Sequence, residues 1–123
     1  MPVSVKDLMD AANAAVPKIS PQQALDLAAK GALILDVRDG TEVEKTGKAV
    51  GSVHVPRGLL EFKACPTSPT RDANFDTSKP VVIYCASGGR AALSGKLLKD
   101  MGYTQVYNLG GFKDWVEGGG KVG

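Results

Sequence analysis

Two short, uninterrupted apolar runs, Ala32–Leu35 and Val81–Tyr84, constrain this chain more than any other feature. A half-wet strand alternates apolar and polar residues, whereas a continuous run bounded by turn residues fits a strand covered on both faces. The first run leaves into the polar turn Asp36-Val-Arg-Asp-Gly40. The second, the most convincing strand in the sequence, ends directly in Cys85-Ala-Ser-Gly-Gly-Arg90. Doubly covered strands need helices on both sides, so the rest of the chain should supply them.

Helical patterns do flank these runs. Val5, Leu8, Met9 and Ala12 form an i, i+3, i+4, i+7 stripe closed by Pro17, which predicts a short N-terminal helix within an extension of residues 1–18. Ser20, Pro21 and Gln23 supply an N-cap, a first-turn proline and a capping-box partner for a second helix, stopped by Gly31. Glu42–Gly47 reads as a short exposed helix or loop, Ser52–Val55 as a brief strand, and Leu59–Phe62 as one helical turn. Residues 63–79, with Pro66 and Pro69, read as a surface loop. Arg90–Met101 places Leu93, Leu97, Leu98 and Met101 on one helix face before Gly102. Gln105–Leu109 is a further strand, and Gly111 opens a short helix with Phe112, Trp115 and Val116. Strands alternating with helices predict an α/β fold, a central, mostly parallel sheet flanked by helices. The 123 residues fit one domain, with the glycine-rich end 118–123 expected to fray.

Composition excludes several functions. With 43% hydrophobic residues the chain has enough apolar side chain for a core without disulfides or a metal. A net charge of +2, from 15 basic and 13 acidic residues, carries no nucleic-acid footprint. Neither apolar run approaches the roughly 20 residues that span a bilayer, and the N-terminus has no basic segment followed by an apolar block. A cytoplasmic, reducing location is therefore expected, with Cys65 and Cys85 as free thiols. They and the single histidine, His54, do not make a zinc site, so neither a metal nor a cofactor is expected. Cys65, with no informative neighbour but Pro66, is expected to be a small buried hydrophobe, and His54 a structural residue near a strand end.

Cys85 is different because of where it stands. Ligands in α/β sheets bind beyond the carboxyl ends of strands, and Cys85 ends the best strand. Gly88 and Gly89 allow the following loop to curl its N–H groups inward as an anion-binding nest. The helix N-terminus contributes unpaired N–H groups and its positive dipole end, and Arg90 adds a permanent cation. Such surroundings favour thiolate over thiol. Cys85 is thus a candidate nucleophile in a cradle of Ala86, Ser87, Gly88 and Gly89 shaped for an anion. The same turn also fits a tight connection with a packed cysteine. Ser87 reads equally as a donor to a bound anion or as a small loop residue. Asp36 and Arg38 follow a strand end, and either border the site or make a structural ion pair or loop hydrogen bonds.

From about Ile19 to Val122 the sequence resembles a single-domain rhodanese, a sulfurtransferase. The likeness rests on Leu33–Arg38 (LILDVR), Gly51–Gly58 (GSVHVPRG), Val81–Arg90 (VVIYCASGGR) and Leu109–Gly119 (LGGFKDWVEGG), in that order and spacing. The resemblance implies a rhodanese-like fold with the Cys85–Arg90 loop wrapped around the active sulfur. It further implies that Cys85 takes a sulfur from a donor such as thiosulfate, holds it as a persulfide, and passes it to cyanide or a thiol, with an acceptor protein as a further partner. The loop N–H groups and Arg90 would stabilise the charged persulfide. The phosphatase and arsenate-reductase branch of the fold uses a cysteine loop one residue longer, which makes that reading less favoured. A sulfur-carrying or regulatory binding module with little turnover is the alternative.

Two positions depart from the family pattern. The segment Gly47-Lys48-Ala49-Val50-Gly51 lacks the histidine that often follows a glycine there, and the loop interior carries no cation. Arg57 and Lys48 are the candidates for a compensating charge at the cleft.

Overall fold

A computed structural model describes residues 2–123; Met1 lies outside the described residues. Four parallel strands form one sheet in the order β2-β1-β3-β4: β1 (Leu33–Asp36), β2 (Val53–His54), β3 (Val81–Cys85) and β4 (Val106–Gly111). The helices are α1 (Val5–Ala15), α2 (Pro21–Ala29), α3 (Gly40–Thr46), α4 (Leu60–Ala64), α5 (Gly89–Asp100) and α6 (Phe112–Glu117), with a 3₁₀ turn at Arg57–Leu59. The α/β architecture read from the sequence is therefore present, and the sheet is parallel throughout.

The unbroken apolar runs bury both faces. Every residue of β3 is buried. Val81, Ile83 and Cys85 join a core with Leu35, Leu60, Ala91 and Leu98. Val82 and Tyr84 point into a second core with Ile34, Ala24, Leu109 and Trp115. Fully burying one such aliphatic side chain contributes roughly 1.5–3 kcal/mol. The alternation along β3 therefore decides that Cys85 belongs to the face covered by α5 and Tyr84 to the opposite face.

α5 sits close to the sheet because its buried face is small: Ala91, Ala92, Ser94, Gly95 and Leu98. The expected stripe of Leu93, Leu97, Leu98 and Met101 is fully buried only at Leu98; the other three are half-buried, Leu97 and Met101 packing against the edge of the core while Leu93 and Leu97 line a groove shared with α1. α1 departs similarly. It begins with the Ser4–Asp7 capping box, but Val5 and Leu8 are exposed and only Ala12 is fully buried. The second helix starts at its predicted signal, Ser20 Oγ accepting from the Gln23 N–H and Gln23 Oε1 from the Ser20 N–H.

The C-terminal segment corrects the expectation of a frayed tail. Val122 bridges Ala49 in antiparallel fashion, the Val50 N–H donates to the Lys121 carbonyl, and the Gly123 N–H donates to the Lys48 carbonyl. Trp115 Nε1 donates to the same Lys121 carbonyl at 2.9 Å, and Gly120 lies against the indole. A large aromatic with a polar N–H needs both a packing partner and an acceptor, and the last residues provide both. The loop of residues 63–79 runs over the surface as expected but is anchored. Phe75 is buried edge-on against Tyr103, whose hydroxyl donates to the Ala64 carbonyl.

Candidate active site

β1 and β3 are neighbours, but the chain leaves β1 for β2 on one side and later returns to β3 on the other. That change of direction opens a crevice beyond the carboxyl ends of β1 and β3, where Asp36 and Cys85 end their strands. The loop after Cys85 turns at Gly88, whose φ of +108° lies in the left-handed region, open to glycine at little cost. This turn aims the Gly88 N–H at Cys85 Sγ, 3.0 Å away, and α5 starts at the next residue. The sulfur is thus held at the N-terminus of a twelve-residue helix, where backbone N–H groups lack intrahelical partners.

The loop is shaped from outside by β4. Register between β3 and β4 shifts after Ile83↔Asn108 to Tyr84↔Gly110, a one-residue bulge of the kind that re-aims the chain beside active sites. Asn108, the last residue paired before the bulge, donates from Nδ2 to the Gly88 carbonyl at 3.2 Å and accepts at Oδ1 from the Gly110 N–H at 2.8 Å. A side chain at Gly111 would collide with the Ala86 carbonyl. Asn108 and Gly111 thus support the loop, a role absent from the sequence reading. The bulge that places them depends on pairing between strands more than 20 residues apart.

Arg90 is placed beside the loop, but not as a free cation. Its Nη1 and Nη2 donate to Glu42 Oε1 and Oε2 at 2.7 and 3.0 Å. Glu42 Oε1 also accepts from the Asp39 N–H at the start of α3. The bidentate bond from Arg90 foremost draws the Glu42 carboxyl down to about 2. The same pair raises the Arg90 guanidinium, with the nearby Cys85 sulfur a smaller contributor. Glu42 therefore belongs to the site; in the sequence it was one charge in an exposed segment.

Asp36 and Arg38 resolve to the structural ion pair. Both are almost fully buried, and Arg38 donates from Nε and Nη2 to the Asp36 carboxylate at 2.8–3.1 Å. Arg38 also donates to Thr46 Oγ1 and to the Gly47 carbonyl, each at 2.8 Å, tying the end of α3 to β1. Tyr84 Oη donates to Asp36 Oδ2 at 2.7 Å and accepts from the Ala49 N–H. Burial alone would raise the Asp36 carboxyl, but the hydrogen bonds from Arg38 and Tyr84 outweigh it and hold it below its ordinary value. Burial, with the Asp36 charge, pushes the Tyr84 phenol up to about 12. The Arg38 guanidinium lies 4.4 Å from the Phe112 ring centre, so the pair forms the wall behind the crevice.

The remaining candidates scatter. Ser87 is exposed. Arg57 pairs with Glu61 at 3.1 Å and faces a groove between α1 and α5, and Lys48 Nζ donates to the Ser52 carbonyl at 2.7 Å. Neither compensating charge is offered to the Cys85 loop. Cations nearer the loop come instead from Lys45 and Lys113. With Arg38, Thr46, Phe112 and Ala86 they line an open groove of about 310 Å³. His54 Nε2 lies 2.7 Å from the Arg38 carbonyl, a structural contact. Cys65 corrects its expectation: it is half-buried, not buried, and its sulfur lies 3.4 Å from Thr67 Oγ1, which foremost lowers the thiol from its ordinary value. Both cysteines are free. Among the described residues no cluster of histidine, cysteine and carboxylate side chains is suited to a metal ion, and no helix is long and apolar enough to cross a membrane.

A Rhodanese-like domain model matches residues 20–118. The chain belongs to the rhodanese-like family. Within it, the chain is similar to the thiosulfate sulfurtransferase GlpE of Pseudomonas entomophila, 31% identical over 100 residues, 80% of this chain and 83% of that protein. It is similar to the uncharacterised protein YqhL of Bacillus subtilis, 35% identical over 92 residues that make up 74% of this chain and 64% of YqhL. Among solved structures it resembles RPA3614 from Rhodopseudomonas palustris, a protein of unknown function described as a possible tyrosine phosphatase. That likeness has a TM-score of 0.88 and 35% identity, covering 100% of this chain and 96% of that one. The fold and the rhodanese-like family thus agree with the resemblance read from four short motifs, and GlpE-type relatives make sulfur transfer the family-level activity.

Proposed function

We propose that this protein is a sulfurtransferase that carries sulfane sulfur as a persulfide on Cys85. The observation that carries this reading is the seat of the sulfur: Cys85 Sγ accepts from the Gly88 N–H at the entrance of α5. With thiosulfate as donor, the Cys85 thiolate attacks the outer sulfur. A new S–S bond to Sγ forms, the bond to the sulfonate sulfur breaks, and its electron pair leaves with sulfite. In the second half, cyanide or a thiolate attacks the outer persulfide sulfur, and the electron pair of the broken S–S bond returns to Sγ. The terminal sulfur of the persulfide carries negative charge, which preorganised N–H groups stabilise without reorganising. Ala86, Ser87, Gly88 and Gly89 supply the backbone of that cradle. Arg90, held by Glu42, supplies a directed but partly neutralised positive charge, which suits a singly charged persulfide better than a dianion.

The likeness to RPA3614 favours a second reading, hydrolysis of a phosphate ester at the same cysteine. Against it, only four residues separate Cys85 from Arg90, and the guanidinium is already occupied by Glu42. A donor panel of thiosulfate, mercaptopyruvate and glutathione persulfide, scored by the gain of one sulfur in the intact mass, is the test. Gain of sulfur from at least one donor, with no turnover of p-nitrophenyl phosphate, is the expected result. Phosphate release without sulfur uptake overturns the proposal.

A further inference from the structure

Glu42 does more than hold Arg90 in place. It stands in the first turn of α3, and its side chain lines the open groove that meets the Cys85 loop at Ala86. Both of its oxygens are committed. They accept from Arg90 Nη1 and Nη2, and Oε1 also accepts from the Asp39 N–H that starts α3. An incoming anion that recruits Arg90 must therefore displace a carboxylate that the helix cap holds as well. The Arg90 bond draws the Glu42 carboxyl down to about 2, so it is ionised wherever a thiolate exists. The charges around this pair leave it decisive. Asp36 and Arg38 cancel behind the groove, Lys113 is paired with Glu117, and Lys45 is exposed, where solvent and salt screen it. Arg90 and Glu42 themselves sum to zero. The cradle at Cys85 is then left with backbone N–H groups and a helix N-terminus equivalent to roughly half a positive charge, a field matched to a singly charged group rather than to a dianion.

We infer that Glu42 sets donor specificity: by cancelling Arg90 and standing at the mouth of the loop, its negative charge selects against dianionic sulfur donors and for singly charged ones. The inference rests on the persulfide reading of Cys85. With either class of donor the step is the same. The Cys85 thiolate attacks the outer sulfur and a new S–S bond to Sγ forms. The bond from the outer sulfur to the oxidised sulfur breaks, and its electron pair leaves with sulfite from thiosulfate or with a sulfinate from a thiosulfonate anion. Glu42 takes no part in these bond changes; it acts only on the charge that must pass it.

Thiosulfate, a dianion, and sodium methanethiosulfonate, whose anion carries a single charge, share the reacting bond and form the probe pair. The readout is the rate at which the full chain gains one sulfur in its intact mass. Glu42→Gln removes the charge, while its amide oxygen can still accept from Arg90 Nη1 and the Asp39 N–H. It should raise the thiosulfate-to-methanethiosulfonate rate ratio about three- to tenfold, the scale of one unit charge acting on another across several ångströms of a partly exposed site. Glu42→Asp keeps the charge and should stay near the wild-type ratio. A merely structural role for Glu42 would lower both rates together and leave the ratio unmoved. Alkylation of Cys85 by iodoacetate against neutral iodoacetamide, in a Cys65→Ser background, makes the same comparison without sulfur transfer. That ratio should rise by a similar factor in Glu42→Gln, and it decides the matter if the variant loads too slowly to measure. A ratio unchanged or lowered by Glu42→Gln overturns the inference and leaves the sulfurtransferase reading intact. Failure of the wild-type chain to load from every donor overturns both.

Discussion

Replacing Asp36 by Asn probes the wall behind the site with little change of shape. In the native protein this fully buried carboxylate accepts from the Arg38 side chain, from the Arg38 N–H and from Tyr84 Oη, and Arg38 is 2% exposed. The amide cannot neutralise Arg38, so the substitution leaves a buried, unpaired guanidinium. Breaking a buried pair from one side typically costs about 3–5 kcal/mol, a large part of the roughly 5–15 kcal/mol that stabilises a domain. With a urea m-value near 2 kcal/mol/M, the unfolding midpoint should fall by about 2 M. Circular dichroism during a urea titration measures it. Activity should fall as well, because Arg38 holds Thr46 and Gly47, which end the helix that carries Glu42 to Arg90. A midpoint within about 0.3 M of wild type, with the m-value unchanged, would refute the claim that this pair supports the crevice.

Further expectations concern the loop, its charge and the tail. Gly111→Ala forces the Ala86 carbonyl aside and should cost about 1–3 kcal/mol together with slower sulfur uptake, whereas Gly58→Ala, with open space around it, should stay within about 1 kcal/mol. Glu42→Gln tests the Arg90 pair through pH. Because the folded Glu42 carboxyl lies near 2, below its ordinary 4.5, its contribution is fully present above about 4.5 and is lost as pH falls through 2. For a partly exposed pair this amounts to about 1 kcal/mol at most, so wild-type and variant stability should differ at pH 6 and converge near pH 2; a gap that widens on acidification contradicts the assignment. Removing residues 119–123 deletes the Lys121 acceptor shared by Trp115 and Val50 and should cost about 2–4 kcal/mol, measurable by thermal melting; no change would mean that the tail is not docked.

Much of the framework was legible because it depends on local patterning. Unbroken apolar runs announced strands buried on both faces, and Ser20-Pro21 with Gln23 marked the start of α2. The Cys85 loop was legible for the same reason, since strand, glycine turn and helix follow one another in the chain. What escaped involved partners distant in sequence. Glu42 meets Arg90 across 48 residues, and Asn108 meets Gly88 across 20; neither spacing leaves a periodic trace. The tail looked loose because glycine-rich ends usually fray, yet Trp115 needed an acceptor and a surface to lie on. Leu93 and Leu97 looked like core because the leucine stripe was the strongest pattern in that helix. Close approach of α5 to the sheet instead favours Ala91, Ala92 and Gly95, which carry little apolar signal.

The central claim is that Cys85 carries the sulfur, and intact-mass measurement after incubation with a sulfane-sulfur donor tests it most directly. The wild-type chain and Cys65→Ser are expected to gain one sulfur that cyanide removes as thiocyanate, with most of the transfer activity kept in the Cys65 variant. Cys85→Ser is expected to gain none and to lose transfer. Sulfur uptake and transfer undiminished in Cys85→Ser would contradict the account.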